Sequence, residues 1–156
     1  MLKWLRSLFS IPQPSGPPQV LRTFAPGEPT ITKEALSLDQ GTWRIDATGG
    51  PAIRLFEVPD PQVEQCMLTY RAEVKTEGLA GRAYLEMWCR LPGRGEFFSK
   101  GLQQPVSGTT DWHRHEIPFY LKAGQRPDLI RLNLAIEGSG TAWLRDVTLL
   151  QTPLGS

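Results

Sequence analysis

The stretch TDWHRHEIPFYLKAGQRPDLIRLNLAIEGSGTAWLRDVTLL, residues 110–150, contains the clearest strand patterns of the 156-residue chain. In residues 129–137 apolar side chains recur at every second position, at Ile130, Leu132, Leu134 and Ile136. A period of two predicts a strand with one buried face. Two glycines within residues 138–140 predict a turn into a further strand at residues 141–150. The stretch therefore predicts antiparallel β-structure.

The same alternation occurs earlier, in residues 66–75 and 82–90. The predicted inner faces consist of Leu68, Tyr70, Ala72 and Val74 in the first segment and Ala83, Leu85, Met87 and Cys89 in the second. Two glycines in residues 76–81 predict a hairpin loop between the segments, with Ala72 opposite Ala83. Weaker strands are predicted at residues 43–47, 52–58, 97–102 and 112–119, with one or two more between residues 21 and 38.

Composition agrees with many short strands, because 15 Gly and 14 Pro leave little uninterrupted length for helices. The 17 Lys and Arg against 16 Asp and Glu give a net charge of +1, so we expect no nucleic-acid partner. A domain of about 150 residues buries enough surface to need no metal or disulfide. With eight to ten expected strands, the fold class is all-β, an antiparallel β-sandwich.

The first ten residues form a short basic amphipathic segment. Its predicted apolar face includes Trp4, Leu5, Leu8 and Phe9, with Lys3 and Arg6 opposite. Such a face suits weak peripheral contact with a membrane or docking on a protein partner, although a terminus folded back on the domain is the alternative. Residues 11–19 contain four prolines and are predicted to be a linker before a domain at residues 20–151, followed by a tail at residues 152–156. Because Lys3 and Arg6 interrupt the apolar run, we expect no signal peptide and a cytoplasmic location.

Residues 110–150 also resemble a known family. The matching pieces are Asp111-Trp112, Arg114-His115, Lys122-Ala123-Gly124, Ile130-Arg131-Leu132, the glycines of residues 138–140, and Trp143-Leu144-Arg145-Asp146-Val147. They resemble the closing half of galactose-binding-domain-like jelly rolls, best known as the non-catalytic carbohydrate-binding modules of xylanases and other glucanases. The resemblance implies a jelly-roll β-sandwich, but jelly rolls also serve protein-binding and purely structural modules.

The resemblance further implies a possible structural calcium ion, because members often carry two acidic residues before the matching valine. In this chain Arg145 replaces the first acidic residue, and Asp146 remains. Glu28 or Asp39 could supply the second carboxylate. The alternative is that Asp146 accepts backbone N–H groups of a neighbouring loop.

The candidate binding face lies on the polar side of residues 82–90, where a tryptophan stands among charged residues. Sugars stack their C–H faces on aromatic rings and bind Arg, Glu and Asn through their hydroxyls. If the polar side of residues 129–137 joins the same sheet, the predicted ligand-binding residues are Tyr84, Glu86, Trp88, Arg90, Arg131, Asn133 and Glu137. The alternative is that the N-terminal segment or residues 91–98 cover Trp88. Glu86 and Glu137 also raise the question of glycoside hydrolysis, but no other acid–base group accompanies them.

The remaining reactive residues predict little chemistry. His113 and His115 fall on the same side of one strand, yet no Cys or acidic cluster adjoins them to complete a metal site. Cys66 and Cys89 both fall on inner faces, where we expect small buried thiols, although their spacing leaves a disulfide open. Two hypotheses follow. The chain is a non-catalytic module that binds a saccharide or glycoconjugate, or it is an intracellular scaffold that binds a protein or a membrane surface.

Overall fold

The computed structural model describes residues 12–155 and is all-β. Within these residues the chain forms eight strands: β1 (Gln19–Thr23), β2 (Leu36–Asp39), β3 (Thr42–Thr48), β4 (Ile53–Pro59), β5 (Cys66–Leu91), β6 (Gly95–Lys100), β7 (Val106–Tyr120) and β8 (Leu129–Pro153). All pairings between them are antiparallel. The strands β3, β4, β6 and β7 overlap the weaker strands predicted from the sequence. The N-terminal segment, with Trp4, Leu5, Leu8 and Phe9, lies outside the described residues.

Two long strands, β5 and β8, organise the fold. They pair along their whole length, from Cys66 opposite Pro153 to Arg90 opposite Leu129. The predicted hairpin at residues 76–81 is therefore wrong, and so is the predicted turn at residues 138–140. Ala72 lies opposite His115 of β7 rather than opposite Ala83.

The glycines that suggested turns instead let this two-stranded ribbon bend sharply. Gly81 lies opposite Gly138, with φ angles of +92° and +128°. A Cβ on Gly81 would stand 1.7 Å from the carbonyl oxygen of Glu137, and one on Gly138 would stand 1.8 Å from that of Ala80. Only glycine fits so close a backbone approach at positive φ. Both a tight turn and a bend inside a strand require such glycines, so the sequence pattern did not distinguish them.

On either side of the bend, the ribbon acquires different neighbours. In the first layer, residues 129–134 of β8 pair with β4, and residues 86–91 of β5 pair with β6. In the second layer, β8 pairs with β3 and then β1, while residues 67–74 of β5 pair with β7.

The two layers enclose one core. The apolar positions predicted to face inward in residues 66–75, 82–90 and 129–137 are all buried and belong to the same cluster. Tyr70 of the second layer donates a hydrogen bond through its hydroxyl to the carbonyl oxygen of Asn133 in the first layer, at 3.2 Å. The predicted antiparallel β-sandwich is thus confirmed.

Both described ends of the chain lie together on the second layer. Pro14 forms a bridge with Leu154, and the Ser15 N–H donates to the Pro153 carbonyl at 2.8 Å. Thr152 and Leu154 are buried, so they belong to the sheet rather than to a free tail.

Within residues 12–155, no helix is long and apolar enough to cross a membrane.

Candidate functional site

The outer face of the first layer brings polar and aromatic side chains from four neighbouring strands together. Across β5 and β8, Glu86 lies opposite Asn133 and Trp88 lies opposite Arg131. Because paired residues point to the same face of a sheet, the side chains predicted as ligand contacts share this face. They are Tyr84, Glu86, Trp88, Arg90, Arg131, Asn133 and Glu137. The condition stated from the sequence, that both polar sides join one sheet, is fulfilled.

Trp88 forms an aromatic platform with Phe98 of β6. The two rings lie 5.0 Å apart between centroids at 51°. Phe98 is 55% exposed, whereas Trp88 is half-buried. Residues 91–95 make a tight turn, in which the Arg94 N–H donates to the Leu91 carbonyl, and the chain then returns as β6. The alternative that residues 91–98 cover Trp88 is therefore wrong, because those residues extend the platform sideways.

A buried carboxylate lies beside the platform. Glu86 is 6% exposed, and its Oε1 accepts hydrogen bonds from Trp88 Nε1 and Asn133 Nδ2, both at 2.9 Å. Lys100 Nζ lies 3.7 Å from the other carboxylate oxygen. Asn133 is 5% exposed, and its Oδ1 has no hydrogen-bond partner among the described residues. An unsatisfied buried acceptor is costly, so this oxygen is a candidate ligand contact.

Beside this network lies a shallow cavity of about 270 Å³, whose walls come from β4, β5, β6 and β8. Arg131 spans it by pairing with Glu57 at 3.2 Å and with Glu96. Arg54 stands opposite Asn133, and its guanidinium has no ion-pair partner in residues 12–155. The groove is therefore lined by the buried Glu86 and Asn133 and by two guanidinium groups, of which only that of Arg54 lacks an ion-pair partner in residues 12–155.

At one end of the face, Tyr84 and Glu137 are already engaged with each other. The Tyr84 hydroxyl donates to Glu137 at 2.7 Å, and Arg82 Nε donates to the same carboxylate at 2.8 Å. Burial, with help from Glu137, raises the pKa of Tyr84 to about 12. The hydrogen bonds from Arg82 and Tyr84 hold the pKa of Glu137 below its ordinary value.

The two carboxylates that raised the question of hydrolysis belong to separate hydrogen-bond networks. Glu86 lies opposite Asn133, and four positions along β8 separate Asn133 from Glu137. At the rise of a β-strand, the backbone positions are about 13 Å apart along the strand. Each carboxylate accepts hydrogen bonds from its own pair of neighbouring side chains.

Four further side chains of this face were not predicted as site residues: Arg54, Glu96, Phe98 and Lys100. A signal existed for two of them, because Phe98 and Lys100 fall on the same side of the strand predicted at residues 97–102, whereas Glu96 lies just before that strand. The sequence did not show that this strand pairs with β5, so their position beside Trp88 was missed.

The structure does not gather ligands around Asp146. Its exposed side chain has Arg145 Nε at 3.9 Å. The proposed partners are engaged elsewhere, because Glu28 pairs with Arg22 and Asp39 accepts from Trp143 Nε1 at 3.0 Å. Within the described residues, no group of three His, Cys, Asp or Glu side chains is arranged to hold a metal ion.

The histidines and cysteines lie away from the groove face. His113 and His115 are in contact on β7, with ring centroids 5.3 Å apart. His115 is buried, and burial, followed by the proximity of His113, lowers its pKa. Cys66 and Cys89 are free and buried, and burial raises their thiol pKa values to about 11 and about 12.

Comparison with known proteins finds the same fold in solved carbohydrate-binding modules. No protein-family model matches the chain, and no curated protein matches it. Among solved structures, a carbohydrate-binding module of family 4 is 12% identical, with 94% of this chain and 83% of that chain covered and a TM-score of 0.55. A mutant module of family 29 is 15% identical over 88% of this chain and 92% of that chain, with a TM-score of 0.53. Another family 29 mutant, complexed with cellulohexaose, is 15% identical with the same coverage and a TM-score of 0.52. The jelly-roll resemblance of residues 110–150 is thereby confirmed at the level of the fold.

Proposed function

We propose that this chain is a non-catalytic module that binds a saccharide on the outer face of its first layer. The observation that carries the proposal is the platform of Trp88 and Phe98 beside the buried pair of Glu86 and Asn133. A partly exposed aromatic pair next to an unsatisfied buried acceptor is costly in water. A ligand with an apolar face and hydroxyl groups removes both costs.

Sugar chemistry matches this arrangement group by group. The C–H face of a pyranose ring packs on the rings of Trp88 and Phe98. Its hydroxyls donate to Asn133 Oδ1 and accept from the guanidinium of Arg54. The Asn133 oxygen is shielded from bulk water, so the bound hydroxyl requires a small displacement of the side chains around it. Arg131 is held by two carboxylates and shapes the wall of the groove.

The groove lacks the equipment for hydrolysis within the described residues. Glu86 and Glu137 both already accept hydrogen bonds from neighbouring side chains. Since solved modules of the same fold were complexed with cellulohexaose and mannohexaose, gluco- and manno-oligosaccharides are the first ligands to test.

A glycan array followed by titration calorimetry tests the proposal. The wild-type chain should bind an oligosaccharide, and Trp88→Ala and Phe98→Ala should each weaken binding about tenfold or more, in line with the loss of a central aromatic contact.

Phe97→Ala is the matched control. Phe97 is also an exposed aromatic residue of β6, at 44%, but it lies opposite Cys89 and therefore on the other face. Binding should survive this change. A blank array for the wild-type chain, or equal losses in all three variants, would refute a saccharide site on this face.

A further inference from the structure

A second cavity of about 530 Å³ opens at the edge of the sandwich, next to the groove. The end of β3, the start of β4 and residues 31–35 enclose it, and Ile136 of β8 lies at its base. Residues 31 and 32 run beside β4, since their N–H groups donate to the carbonyls of Leu55 and Arg54, both at 2.9 Å. The cavity is thus framed by hydrogen-bonded backbone, and its volume falls within the range of small-molecule pockets.

The lining of this cavity is aliphatic at the base and charged at the mouth. Ile136 is buried, Ala47 and Ile53 are half-buried, and Ile31 is 46% exposed. Exposed apolar surface in a concave site favours an apolar ligand group. Glu34 and Arg54 also line the cavity, and within residues 12–155 neither side chain has an ion-pair partner.

The cavity and the groove share a wall. Pro51, Ala52 and Arg54 line both. The cavity and the groove are therefore neighbours at the start of β4, with Arg54 between them.

We propose that the cavity receives an aromatic acyl ester carried by the saccharide, a proposal that rests on the saccharide-binding function proposed above. The aromatic ring packs on Ile53 and Ile136. The ester carbonyl accepts a hydrogen bond from Arg54, and a ring hydroxyl donates to Glu34. The module thus selects esterified over unsubstituted saccharides.

The first experiment probes the cavity alone, in the full chain. Methyl 4-hydroxycinnamate, a small aromatic ester, is titrated while the isoleucine methyl signals are followed by NMR. The signals of Ile31 and Ile53 should shift in the wild-type chain and in Trp88→Ala, because the platform is not part of the cavity. They should not shift in Thr48→Trp or Ala47→Leu, which fill the cavity from β3. Ser107→Trp, an exposed position on β7 outside the cavity, is the matched control and should behave as wild type.

The second experiment compares one oligosaccharide, chosen from the array, before and after alkaline removal of a 4-hydroxycinnamoyl ester. The wild-type chain should bind the esterified form about tenfold more tightly, as expected for filling an apolar pocket, and Thr48→Trp should remove that preference.

The outcomes separate the two proposals. Equal binding of both forms, with intact dependence on Trp88, overturns the ester proposal alone. An ester probe that leaves the isoleucine signals unmoved in the wild-type chain also overturns it. If the ester probe binds but no oligosaccharide does, the saccharide function fails, and the ester proposal fails with it.

Discussion

Glu86 is the residue on which the proposed site depends most, because its Oε1 alone accepts from both Trp88 and Asn133. Glu86→Gln keeps an oxygen at that place, so we expect saccharide affinity to fall less than threefold. Glu86→Leu leaves both donors unpaired in a buried environment, which costs about 2 kcal/mol or more of stability and frees the Trp88 ring. Affinity should then fall as far as in Trp88→Ala. Calorimetry and urea unfolding measure the two effects, and equal affinities for the Gln and Leu variants would contradict this role.

His115 should make stability depend on pH. Burial lowers its folded-state pKa below the ordinary 6.5, so the unfolded chain binds a proton more readily than the folded one. The stabilisation by neutral His115 is therefore complete above pH 6.5 and is lost as pH falls through the folded-state pKa. Urea midpoints measured from pH 7.5 to 5 should fall for the wild-type chain and for His113→Gln. They should fall less for His115→Gln, and parallel curves for all three proteins would disprove the assignment.

At the residue scale, the sequence predicted which side chains would share a face but not what lies beside them. The alternation in residues 82–90 placed Trp88 on the outer side, and the structure agrees. Phe98 and Arg54 escaped prediction because their positions depend on which strands pair. Pairing is a long-range property that local periodicity does not encode.

At the element scale, the bend of the β5 and β8 ribbon is the feature that builds the sandwich. Gly138→Ala should destabilise the fold well beyond the cost of about 1–2 kcal/mol for a left-handed conformation alone, because its Cβ would overlap the Ala80 carbonyl. Gly50→Ala is the matched control, since Gly50 has a φ of +127° and open space around it. Urea denaturation of the two variants provides the comparison. Equal losses would show that the close approach at the bend is unimportant.

The bend also explains the main error of the sequence interpretation. In residues 66–75 and 82–90, apolar and polar side chains alternate so that the apolar ones are buried. This pattern is the same whether a hairpin or a bend joins the two segments. The glycines at 78 and 81 have positive φ in either arrangement. What decides the outcome is that β8 extends past its own glycines at 138 and 140, which lets it pair with both halves of β5. No local signal records this pairing.

At the scale of the whole molecule, the groove and the described ends of the chain lie on different layers. The groove belongs to the first layer, whereas residues 14 and 15 are bonded to residues 153 and 154 at the edge of the second. Residues 1–10 lie outside the described residues. If that segment contacts a membrane or a partner and leaves the groove open, the two hypotheses drawn from the sequence are compatible.

This separation predicts that two activities are independent in the full chain. Leu5→Asp and Phe9→Asp place charges on the apolar face read from the sequence, so co-sedimentation with anionic lipid vesicles should fall strongly. Saccharide affinity should stay within about twofold of wild type, since the proposed saccharide contacts all come from β4, β5, β6 and β8. Trp88→Ala should show the reverse pattern, with normal vesicle binding and weakened saccharide binding. Equal sedimentation of wild type and both Asp variants would exclude a membrane role for the segment, and loss of saccharide binding in the Asp variants would contradict the independence of the two surfaces.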